Sequence, residues 1–200
     1  MVQMLLELAV KFLVKEMDKY FAIVDVETTG GKYNEEKITE IAILVYDGAK
    51  IIDSFETLIN PGKAIQPFVQ RLTGIDNDLV KYSPKFKDVS ENIFEITKDK
   101  IIVAHNVSFD YRVIKNEFEN INIKFQRDLL CTVELSKLIF PNLKSYKLTN
   151  LLSNFGIVNE NPHRANSDAL GALELFKILL DNDLDIKIIK SKIKSSKNEQ

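Results

Sequence analysis

Cysteine is almost absent from this 200-residue chain, with Cys131 standing alone. One thiol excludes an internal disulfide framework and a multi-cysteine zinc site, and it suits a reducing compartment. An excess of one charge is lacking too. The formal net charge is −2, so no whole-chain field draws the protein onto nucleic acid, although a local groove could still bind one. No uninterrupted apolar run reaches membrane-spanning length. The apolar amino end is broken by Glu7 and Lys11, has no basic start and is followed by no small-residue cleavage site. It does not read as a secretory signal. The expectation is a cytoplasmic protein without membrane contact. Neither an internal repeat nor a dividing linker is found. What the chain does have is 45% hydrophobic residues, enough for one domain with a real core.

The stretch Tyr20–Gly30 begins as an apolar, β-branched run of strand length. Alternation puts Phe21, Ile23, Asp25 and Glu27 on one face and Ala22, Val24 and Val26 on the other. Two carboxylates thus emerge side by side from a strand that otherwise reads as core. At about 4 Å and an effective dielectric near 20, such charges repel by roughly 4 kcal/mol. A cation between them would relieve that cost; a strand tip running into solvent is the plainer reading. Thr28–Thr29–Gly30 ends the strand with hydroxyls and a flexible residue, where backbone could approach a ligand closely.

Around this strand the pattern predicts an α/β domain. Residues 1–19 form an amphipathic helix with a wide apolar arc, read either as packed on its own domain or as docking a partner. Met17 is an alternative start. Ile38–Val45 and Ile51–Ile59 complete an antiparallel meander with the first strand. Pro67–Val80 holds short helical segments, and a helix over Val89–Thr97 leads to a buried strand, Lys100–Ala104, suited to a parallel position. A helix follows Asp110, then a short strand over Leu129–Thr132, a helix stopped by Pro141, and a helix closed by Gly156. The last helix covers Asn166–Leu180. Beyond it a lysine-rich tail, 182–200, is expected to be partly disordered.

Two further acids and a histidine attract attention. Asp110 starts a helix just after a central strand, where open α/β sheets gather their ligand sites. Asp168 lies in the first turn of the last helix. Each alone is more often a helix-start acid favoured by the dipole. His163 precedes Asp168 by five residues on a proline-started loop, a mount from which a base could reach a water.

Asp25-Val-Glu27-Thr-Thr-Gly, His105-Asn-Val-Ser-Phe-Asp110 and His163-Arg-Ala-Asn-Ser-Asp168-Ala, in that order, resemble the three motifs of the DEDDh 3′–5′ exonucleases. That family includes the proofreading subunit of bacterial DNA polymerase III. The likeness extends through Asn60-Pro-Gly, Leu72-Thr-Gly-Ile and Tyr146-Lys-Leu. It implies a ribonuclease H-like mixed sheet, antiparallel meander plus parallel strands, flanked by helices, within an exonuclease domain spanning 20–181. It implies removal of nucleoside 5′-monophosphates from single-stranded or frayed 3′ ends of DNA. Asp25, Glu27, Asp110 and Asp168 match the family's metal-binding acids, and His163 its general base. Two Mg²⁺ ions are implied, with Mn²⁺ able to substitute. Thr28, Leu72, Thr73, Asn106 and Phe109 match nucleotide contacts, Leu72 reading equally as a wedge under the terminal base or as core. RNA as substrate is the alternative, and an inactive binding module a third reading that the complete set of five residues disfavours. The resemblance suggests a polymerase or other replication partner. The tail lacks the aromatic, Gly/Pro-rich character of a polymerase-docking segment, so a free-standing enzyme is an equal reading.

Overall fold

Strand β1 (Phe21–Thr28) lies near the middle of a six-stranded sheet. A computed structural model describes residues 19–183 and 187–195, so the expected helix over 1–19 falls outside the described residues except for Lys19. β2 (Ile38–Tyr46) and β3 (Ile51–Leu58) continue from β1 as the antiparallel meander. On the other side, β4 (Ile101–Ala104) and β5 (Asp128–Cys131) run parallel to β1, and β6 (Lys194–Ser195) closes that edge antiparallel. The order is β3-β2-β1-β4-β5-β6.

Between the strands run α1 (Pro67–Thr73), α2 (Asn77–Val80), α3 (Phe86–Ile96), α4 (Val107–Asn120), α5 (Thr132–Ile139), α6 (Leu148–Asn154), α7 (Ala165–Asn182) and α8 (Lys187–Lys192). None is long and apolar enough to cross a membrane among the described residues.

The alternation of β1 divides the core in two. Phe21 and Ile23 pack with Ala42, Leu44 and the buried side of α7, including an edge-on Phe21–Phe176 contact at 4.8 Å between ring centres. Ala22, Val24 and Val26 pack with α3 and α4, where Phe118 stacks on Phe125 at 4.4 Å. Asp25 and Glu27 therefore extend the face that α7 covers. Leu173, Leu175, Phe176, Leu179 and Leu180 are all buried there. At about 1.5–3 kcal/mol each, they hold α7 with on the order of 10 kcal/mol. One carboxylate repulsion of about 4 kcal/mol cannot displace it.

The structure departs most from the sequence expectation at the start of α3 and in the lysine-rich segment. α3 starts at Phe86, three residues early, because the Asp88 carboxylate accepts the Lys85 backbone N–H (2.9 Å) and Phe86 packs edge-on against Phe118. In the lysine-rich segment, where no element was expected, isoleucines interleave the lysines. Ile189 is fully buried and its N–H donates to Asp183 Oδ2 (2.8 Å), bringing β6 onto the edge of β5.

Candidate active site

The site forms where β1 ends. Register shifts between Glu27 and Thr28, and the chain turns through Thr28–Gly30. The Thr29 N–H donates to the Lys37 carbonyl (2.8 Å), and the Gln66 N–H donates to the Thr29 carbonyl (3.0 Å), seating α1 against the turn. Gly30 has φ +66°, and a Cβ there would lie 2.9 Å from Gln66 Oε1 and Val69 Cγ2. Only glycine allows both the conformation and the close approach. On α1, Leu72 is 50% exposed, which removes the core reading. Thr73 is buried instead, its hydroxyl donating to the Val69 carbonyl (3.0 Å).

Asp110 comes from the opposite layer, in the first turn of α4, and is only 4% exposed. It does not cap its own helix. Its Oδ1 accepts the backbone N–H of Val26 (3.2 Å), which ties α4 to β1 between the two strand acids. Asn106, exposed at φ +78°, makes the sharp turn from β4 into α4, and Phe109 lies against Arg112.

His163 also adopts a left-handed conformation, φ +64°. Its N–H donates to Asp168 Oδ2 (3.1 Å), while Asn159 Nδ2 donates to Asp168 Oδ1 (2.6 Å). The last acid thus pins its own approach loop. One oxygen of Glu27, one oxygen of Asp168 and one ring nitrogen of His163 lie within 4.8 Å of one another. The imidazole is therefore close enough to the acids to be a ligand itself, as well as to serve a bound water.

The electrostatics join all four acids. Burial, and then the charges of Asp110, Glu27, Asp168 and Glu40, push the Asp25 carboxyl well above its ordinary value. Burial followed by the charges of Asp168, Glu40 and Asp110 raises Glu27 to about 8, against a smaller lowering by Arg164. Burial raises Asp110 to about 7, although the Val26 N–H opposes it. Carboxylates packed this tightly hold protons unless a cation replaces them. An oxygen-rich, anionic donor set of this kind fits hard divalent ions, and the residues present therefore suit a metal.

The sequence reading missed the group opposite Glu27. In the β1–β2 register Glu40 pairs directly with Glu27; it is 8% exposed and is held by Arg164. A lone acid inside Ile38–Val45 was the available signal, but register and partner were needed to interpret it. His105, which opens the second motif, has a structural place. It is held between Thr132 Oγ1 and the Tyr146 carbonyl, both at 2.9 Å. A carbonyl can only accept, so Nε2 carries the proton, and burial keeps the ring's pKa below its usual value. It fixes the Tyr146 segment beside β4.

Sheet order and flanking helices are those of the ribonuclease H-like fold. The family described as Exonuclease matches residues 22–176, and the chain belongs to it. That family uses divalent metal ions. The 3′-5′ exonuclease DinG of Staphylococcus epidermidis is 38% identical over 156 residues, 78% of this chain. The chain spans only 17% of that relative's length. Exonuclease X in complex with 5′ overhanging duplex DNA superposes with a TM-score of 0.63 at 25% identity, over 80% of this chain and 91% of that one. The nuclease domain of 3′hExo, bound to rAMP, gives 0.72 at 18% identity, over 89% and 96%, a likeness of fold.

Proposed function

We propose that this protein shortens DNA from single-stranded or frayed 3′ ends, releasing nucleoside 5′-monophosphates. The supporting observation is the convergence of acids from three separate segments, with the His163 imidazole within 4.8 Å of Glu27 and Asp168 oxygens. In this reading Asp25, Glu27, Asp110 and Asp168 hold two Mg²⁺ ions, with Mn²⁺ a substitute. Such ions, when bound, lower the pKa of a water and neutralise charge on the leaving 3′ oxygen. Neutral His163 takes the proton of the attacking water on its unprotonated ring nitrogen. Backbone at Thr28, with Thr73, Asn106 and Phe109, positions the terminal nucleotide, and the exposed Leu72 wedges under its base.

The exonuclease unit begins at residue 20 and takes in α8 and β6, because Ile189 is buried and β6 pairs with β5. Its setting is replication or repair, with a polymerase as the partner the motifs suggest. The free, buried Cys131 fits a reducing cytoplasm. The test uses matched DNA and RNA oligonucleotides labelled at either end, incubated with the protein and Mg²⁺. Stepwise shortening of DNA from the 3′ end, faster at a mismatched duplex end because less unpairing is needed, is expected. Activity surviving excess EDTA, or RNA degraded far faster than DNA, would overturn the proposal.

A further inference from the structure

Beside the acids lies a clamp that none of their roles requires. Glu40 sits on β2 directly across from Glu27. Arg164 Nε lies 3.0 and 3.2 Å from its two carboxylate oxygens, and Arg164 Nη2 also donates to Oε1. The backbone N–H of Ala165, which opens α7, donates to Glu40 Oε2 (2.8 Å). Both oxygens of a nearly buried carboxylate are thus committed to the two residues that follow His163.

We infer that Glu40 is a positioning residue, which holds the His163 imidazole at the catalytic acids through Arg164 and the start of α7. The inference rests on His163 serving as the base. A like-charged pair directly across an antiparallel ladder is unfavourable, so a strand with no other use for Glu40 would gain by losing it. Arg164 balances that charge, and with the Ala165 N–H it ties both Glu40 oxygens to the chain after His163. His163 occupies a left-handed conformation, uncommon for a non-glycine residue, so its neighbours bear on whether the loop keeps it. Its own N–H is bound by Asp168 on one side, and the Glu40 clamp fixes the chain on the other. Without the clamp, Asp168 alone would hold the loop, and the ring could swing away from the reacting water.

The experiment compares Glu40→Gln, which keeps shape and removes charge, with His163→Ala and the double variant. Arg164→Gln, which truncates a side chain that is 41% exposed, breaks the same clamp from its surface end. Displacement by about 1 Å costs up to 10²-fold in rate, so Glu40→Gln and Arg164→Gln should each lower kcat by about 10–10²-fold with KM little changed. In the His163→Ala background, Glu40→Gln should change kcat by less than about twofold, because independent sites would multiply their losses. Mn²⁺ affinity without substrate, measured by calorimetry, should fall by less than the roughly tenfold loss expected when a group supporting a ligand is removed. Wild-type kcat in Glu40→Gln, a full further loss in the His163→Ala background, or a larger drop in Mn²⁺ affinity would each overturn the inference alone. Near-full turnover in His163→Ala would instead remove the base assignment, and this inference with it.

Discussion

The crowded carboxylates should make the metal-free protein weaken as pH rises. Glu27 goes from 4.5 to about 8 on folding. At 1.36 kcal/mol per unit, that difference is on the order of 5 kcal/mol. The folded state keeps a proton that the unfolded chain has already released, so this stability is fully present below the unfolded value. It is lost progressively up to about pH 8. Asp110, raised from 3.8 to about 7, acts in the same direction over a lower window. His105 opposes them: burial lowers its pKa from 6.5, so its contribution is present above that value and lost below it. Between pH 6.5 and 8 only the raised acids remain. Urea unfolding in EDTA should therefore show falling stability across that window, and Glu27→Gln should reduce the slope, with Asp25 and Asp110 keeping the rest. Mn²⁺ should restore stability, more at pH 8 than at pH 6, because bound ions replace the protons. A metal-free protein that gains stability between pH 6.5 and 8, or a Glu27→Gln variant with the wild-type slope, would refute the reasoning.

His163→Ala should cut turnover by about 10²–10⁴-fold while leaving Mn²⁺ affinity nearly intact, whereas Asp25→Ala should weaken both; equal metal losses in calorimetry would make His163 a ligand. Gly30→Ala should lose about 1–3 kcal/mol of stability, since alanine meets both an unfavourable φ and the Gln66 and Val69 side chains at 2.9 Å. It should also raise KM by shifting α1, and an unchanged melting curve would show that the turn yields. Deleting residues 1–18 should lower solubility or alter assembly with kcat unaffected, because a stretch so rich in apolar residues calls for cover; unchanged light scattering and melting would show the segment to be dispensable.

The local pattern was enough to announce β1 and its two acids. Period-two alternation decides which side chains share a face before any partner is known, so Asp25 and Glu27 could be read as one pair. The turn at Gly30, the helix start at Asp110 and the His163–Asp168 spacing were equally legible, because each is a short-range signal. Contacts between distant segments were not. That Leu72 is exposed and Thr73 buried depends on how α1 seats on Thr29, and the sequence left it open. Lysine content suggested disorder where isoleucines at every few positions fold Ile189 into the core and carry β6 to the sheet edge. Asp110 looked like a helix-start acid, and only packing showed its oxygen bound to Val26, 84 residues away. Glu40 depended most on tertiary structure. An acid in a strand has no meaning until register sets it opposite Glu27 and a helix from the far end of the chain brings Arg164 to it. Charge interactions act through space, and the separations that set their strength exist only once the chain has folded.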